Sequence, residues 1–215
     1  MTGQLGKTYL LAVLAGLSIG IGGTAFLMTE SPVVGALLFA VGLFCVCAFG
    51  FSLFTGKVCY VFEQEKDRGR YAAALPVIWL GNLTGAAGLG LLESLTRFGP
   101  KLAERAAAVC AGKLEQTPLS AFVLAVLCNL LIYIAVEGYR TIPDAVGKYL
   151  AILFGVTVFI VCGFEHCVAN MYYFTAGGAW SLKAIGYLLL MTLGNAAGGV
   201  LIPALRRAAG SGKKN

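Results

Sequence analysis

The sequence predicts an all-α integral membrane protein: six transmembrane helices forming two inverted three-helix repeats, with the second and fifth spans broken. Three observations carry this. Hydrophobic residues make up 59% of the chain and charged residues 12%, about half the charged fraction of a soluble domain, and the mean hydropathy is +0.84. The apolar residues gather into six runs, each able to supply the ~20 residues that cross a bilayer as helix. Finally, the string LGNLTGAAG, from Leu80 to Gly88, returns as LGNAAGG from Leu193 to Gly199.

The first run, residues 9–28, has no cleavage-site pattern and reads as a retained span rather than a signal peptide. The second, residues 33–62, is too long to cross once as an unbroken helix, and GFSLFTGK interrupts it. Gly50 and Gly56 permit non-helical backbone there, so helix is expected to end before Leu53 and restart near Thr55. The third span covers residues 71–92, the fourth 119–137 and the sixth 182–205. The fifth, residues 149–174, is again long and is broken around His166. Charge collects in the segments between: 63–70, 97–116 (a loop holding Cys110), 140–148, and the tail from Arg206. Residues 1–215 thus form a single transmembrane domain, with repeat one at about 7–95 and repeat two at about 117–206.

Each small-residue string follows a break at nearly the same interval, Phe54 to Asn82 and His166 to Asn195. Three spans per repeat is an odd number, so the two halves run oppositely through the membrane. Broken helices at matching places in inverted repeats point to a permeation site near the midplane, because unpaired backbone at that depth is tolerated only where it lines a cavity or is buried in protein.

The positive-inside rule sets orientation. The side bearing the termini holds Lys7, Lys66, Arg68, Arg70, Arg140, Arg206, Arg207, Lys213 and Lys214; the other holds Arg97, Lys101, Arg105, Lys113 and Lys183. Both termini are therefore expected in the cytoplasm, for a multi-pass protein of the inner (plasma) membrane. The net charge of +6 suits a basic tail against an anionic leaflet and calls for no nucleic acid.

GFEHCVANMYYF, from Gly163 to Phe174, places Glu165 and His166, the sole histidine, inside an apolar run. Ionisable groups at membrane depth are costly and mark functional sites, and histidine exchanges protons near an ordinary pKa of ~6.5. The seven cysteines show no paired metal-ligand or haem spacing, and those in the spans read as small hydrophobes. Cys162, His166 and Cys167 lack a second ligand cluster, so neither metal nor cofactor is expected. Glu165, His166 and Cys167, adjacent in sequence, point in different directions on a helix and form no nucleophile–base set, so no catalytic residue is assigned and an enzyme is not expected.

Six strings in order, GLSIGIGG, GFSLFTG, WLGNLTGA, CNLLIYIAV, GFEHCVANMYYF and LGNAAGG, make the chain resemble the formate/nitrite transporters over nearly its whole length. The resemblance implies an aquaporin-like fold, a homopentamer with one pore per protomer, and passage of small monovalent anions (formate foremost, or nitrite or hydrosulfide) or their protonated acids. By position, His166 is similar to the family's central pore histidine, which would protonate the passing anion or hydrogen-bond to it in proton-linked transport. Leu53, Phe54 and Thr55 match the loop that breaks the second helix, with Thr55 able to hydrogen-bond the histidine. Leu43, Phe39 and Phe159 resemble the constricting apolar side chains. Lys113, Glu165, Asn129 and Asn195 resemble the polar network, with Lys113 drawing anions in and Glu165 orienting the histidine. Asn82 and Asn195 also suit backbone capping at the breaks. An aquaporin-type neutral-solute pore shares the architecture, but its paired Asn-Pro-Ala boxes are absent. The chain departs from the pattern at Lys57, where a small or polar residue is usual, at Glu137, which ends the fourth span, and at Cys167, which replaces a common serine.

Overall fold

Helix starts in this protein follow side chains that can cap them. Ser31, Thr117, Asp144 and Ser181 each accept the backbone N–H three residues on, which satisfies one of the unpaired donors of a first turn. The computed structural model describes residues 2–64 and 67–210, and these are helical throughout apart from short turns. The helices are α1 (Thr2–Met28), α2 (Pro32–Phe49), α3 (Phe54–Val58), α4 (Arg68–Ser94), α5 (Gly99–Glu115), α6 (Pro118–Thr141), α7 (Ala145–Val161), α8 (Cys167–Ala176) and α9 (Leu182–Ala208). Of these, α1, α2, α4, α6 and α9 are long and apolar enough to cross a membrane, and α7 is a shorter apolar helix of 17 residues.

The second and fifth apolar runs are both broken. Gly50 (φ 70°) ends α2 and Gly163 (φ 67°) follows α7, the left-handed conformation that glycine adopts without a Cβ penalty. Helix resumes at Phe54 and at Cys167. At each restart an asparagine from a neighbouring helix caps the new first turn. Asn82 Oδ1 accepts Phe54 N–H at 2.8 Å, and Asn195 Oδ1 accepts Cys167 N–H at 2.8 Å. Asn82 Nδ2 donates to Ala12 O and Ser52 O; Asn195 Nδ2 donates to Ala125 O and Glu165 O. In both cases the partners stand 28, 70 and 30 residues from the asparagine. The matching restarts are therefore Phe54 and Cys167, which makes Leu53, not Phe54, the counterpart of His166.

Packing repeats in the same way. α1 lies along α4 and α2, while α6 lies along α9 and α7. A methyl group on Gly85 would overlap the Val13 carbonyl, and one on Gly198 the Val126 carbonyl, so these glycines let the helix pairs approach backbone to backbone. Outside, Leu10, Leu91, Phe154, Leu182 and Leu193 are exposed, as on a surface that meets lipid or another apolar surface.

One segment departs from the sequence reading. Residues 97–116 are not a loop: α5 fills most of them, and Cys110 is buried in it with Leu102 and Ala106. These three recur every four residues and form a narrow apolar stripe, which the neighbouring Lys101, Glu104 and Arg105 hide from a reading by overall polarity. Charge sits at the ends of the bundle. Glu30 meets Lys101 and Arg105, while Glu137 meets Arg140 and Arg206. Lys66, Lys213 and Lys214, used above to orient the chain, lie outside the described residues.

Candidate functional site

The two breaks bring Thr55, in the first turn of α3, against His166, which caps α8. Thr55 Oγ1 lies 2.9 Å from His166 Nε2, and both residues are buried. The other ring nitrogen, Nδ1, accepts the Ala169 N–H at 3.1 Å. An acceptor carries no proton, so the neutral ring holds its hydrogen on Nε2 and donates it to Thr55. The Thr55 hydroxyl keeps its own hydrogen free to donate onward.

An apolar wall stands on one side of the imidazole. The Phe159 ring stacks on it with centroids 5.7 Å apart, and Phe39 meets Phe159 edge-on at 5.8 Å. Leu43 is buried in the same core. Leu53 lines a cavity together with Lys57, Tyr60 and Arg140. Phe54 is also in the core, and its backbone N–H donates to Asn82 Oδ1.

A buried ionic cluster adjoins the histidine. Glu165, 2% exposed, accepts from Lys113 Nζ at 2.6 Å, Gln116 Nε2 at 2.7 Å and Asn170 Nδ2 at 2.8 Å. Its carboxylate is thus turned to Lys113, Gln116 and Asn170, where the sequence reading had it orienting His166; the ring is oriented instead by Ala169 N–H and Thr55. Lys113 lies in the last turn of α5, not in a loop, and its charge is matched by Glu165. A buried carboxylate is stable only when paired and hydrogen-bonded in this way.

Asn129 Nδ2 donates to Thr55 O at 3.1 Å and Asn195 O at 2.7 Å, which ties α3 to α9, the helix whose Asn195 side chain caps α8. The side chains of Asn195 and Asn82 are occupied with backbone, as their capping role implies.

The residues of the chain match the formate/nitrite transporter family model over positions 1–208. The chain belongs to the formate/nitrite transporter family. It is 32% identical to a probable formate transporter of Methanothermobacter thermautotrophicus, a match covering 93% of this chain and 87% of the relative. It is 35% identical to the nitrite transporter NirC of Salmonella typhimurium, covering 81% and 69%. Among solved structures, a pentameric formate channel with formate bound superposes with a TM-score of 0.86 at 25% identity, covering 99% of this chain and 100% of that one.

For a formate/nitrite transporter, the sequence reading missed three polar groups near the site. Asn170 stands one helical turn beyond His166, at the spacing of facing residues, and was legible on that ground. Its Oδ1 is buried without a partner, as are Asn129 Oδ1 and the Tyr173 hydroxyl. Gln116 ends a segment whose overall polarity reads as a loop, and Tyr173 sits among aromatics that read as core.

Proposed function

We infer that this transporter is a channel for small monovalent anions, formate foremost and nitrite or hydrosulfide as alternatives, or for their conjugate weak acids. The path in each protomer passes the Thr55–His166 pair. The single observation that carries this is the meeting of the two helix breaks at that pair, with the Phe159 ring stacked on His166 and Leu53 two residues before Thr55. The fold is an aquaporin-like one of six spans, α1, α2–α3, α4, α6, α7–α8 and α9, in two inverted repeats. Five protomers assemble in the inner membrane with both termini cytoplasmic.

The chemistry follows from desolvation. A bare anion in a narrow apolar slit loses its water at large cost. Charge-assisted hydrogen bonds recover more than neutral ones. Thr55 supplies one such donor, and the His166 Nε2–H supplies another when it turns from Thr55 to the anion. With Nδ1 held as an acceptor by Ala169, His166 acts from its neutral form; protonation of the ring would break the cap of α8. Lys113 contributes attraction offset by Glu165, so its reach is short. Phe39, Phe159, Leu43, Leu53 and Phe54 exclude larger or more strongly hydrated solutes, and Asn129 and Asn195 hold the breaks in register.

Purified protein in liposomes tests the reading. Formate, nitrite and hydrosulfide should enter faster than into empty liposomes, while glycerol should not. Glycerol uptake matching that of formate would indicate a neutral-solute pore instead.

A further inference from the structure

Thr55 and Lys57 share the short helix α3 but face different spaces. Thr55 meets His166, whereas Lys57 lines an open cavity of about 380 Å³ together with Leu53, Phe51, Tyr60 and Tyr139. Two charged side chains besides Lys57 line it, Arg140 and Glu63. Arg140 is already neutralised: it lies 3.3 Å from Glu137 and 4.0 Å from Glu63, with its guanidinium 4.1 Å over the Tyr60 ring. Glu137 is shared further with Arg206 at 3.3 Å and accepts from Tyr60 Oη at 3.1 Å. Lys57 is half-buried, and its ammonium makes no hydrogen bond or ion pair with any described residue. The end of α3 that carries it is pinned by Tyr71 Oη, which donates to Lys57 O at 2.8 Å.

A half-buried cation with no counter-charge paired to it among the described residues is an unfavourable arrangement that an anion from solution completes. We propose that Lys57 and this cavity form a second anion-binding site, for a small monovalent anion, at the mouth of the pathway on the Leu53 side. The proposal rests on the anion-channel reading above. One unmatched positive charge suits a single negative one, and Glu63 on the cavity wall disfavours di-anions such as hydrogen phosphate. The anion is held beside Leu53, two residues before Thr55. The site differs from the Lys113 cluster, where Glu165 already matches the charge.

The test is formate uptake into liposomes carrying wild type, Lys57→Gln or Lys57→Arg at sub-saturating formate, as a function of ionic strength. Lys57→Gln should slow uptake about fivefold at low salt, the factor one unit charge contributes at ~4 Å in a water-like medium. The deficit should shrink to less than about twofold at ~1 M salt, where charges are screened within ~3 Å. Lys57→Arg should retain most of the rate. Glu63→Gln, on the exposed rim, should raise uptake about twofold and gives a reading even if Lys57→Gln fails to assemble. An unchanged rate in a conducting Lys57→Gln, a deficit equal at all salt concentrations with none recovered by arginine, or a Glu63→Gln rate at or below wild type would overturn the second site. Absence of uptake by the wild type would instead overturn the channel reading.

Discussion

Replacing His166 with asparagine separates what this residue does for the fold from what it does for a passing anion. The imidazole makes two hydrogen bonds, accepting Ala169 N–H at 3.1 Å through Nδ1 and meeting Thr55 Oγ1 at 2.9 Å through Nε2. Asparagine is among the best helix N-caps, so His166→Asn retains the first bond. Its side chain is too short to reach Thr55 while capping. The stability cost is then the Thr55 bond, about 1 kcal/mol, plus part of the stacking on Phe159. His166→Ala also loses the cap, a further ~1 kcal/mol. On transport, both variants lose a donor to a charged solute, worth about 1.5–3 kcal/mol, which is a rate lower by roughly 10- to 150-fold. The assay is initial formate uptake in liposomes, with oligomer stability followed by size-exclusion chromatography after heating. Expected is a stability order of wild type, Asn, Ala, with flux equally low in both variants. Flux that instead tracks stability, or stays within twofold of wild type in His166→Asn, would refute the donor role.

Other perturbations give equally definite outcomes. Lys113→Gln leaves Glu165 buried without its cation; breaking such a pair costs about 3–5 kcal/mol, and Lys113→Gln/Glu165→Gln should restore much of the lost thermal stability. If the double variant is no more stable than the single one, the pairing is misjudged. Asn195→Ala strips the cap from α8 and two further buried hydrogen bonds; protein yield and oligomer stability should fall more than for Thr192→Ala, whose side chain pairs with the edge of Trp79. Phe159→Ala removes the ring stacked on His166 and should admit lactate alongside formate, at a packing cost of about 3–5 kcal/mol; continued exclusion of lactate would place the constriction elsewhere. The Arg105 guanidinium beside Glu30 holds its carboxyl below the usual range. That pair stabilises the protein above the ordinary carboxylate range and is lost as pH falls through the lowered value, so Glu30→Gln should flatten the acid limb of thermal stability.

The broken spans were legible because length and glycine punctuation are local signals. An apolar run too long for one crossing, with Gly50 or Gly163 inside it, has few other solutions. The asparagine caps were legible as a pair because the LGN strings repeat. Their register was not: Asn195 caps Cys167 and not His166, a one-residue difference that only backbone geometry reveals. α5 was hidden because its apolar stripe is one residue wide amid charge. The partner of Glu165 was hidden with it, since Lys113 and Gln116 reach the carboxylate only once α5 packs beside α8. The Thr55–His166 contact was suggested by family likeness; no spacing rule links residues 111 apart.

The most direct measurement is a structure of the protein determined with formate bound. The anion should lie within hydrogen-bonding distance of both Thr55 Oγ1 and His166 Nε2, with the Phe159 ring alongside. Formate density confined to places outside that pair, with the Thr55–His166 bond intact, would contradict the proposed path.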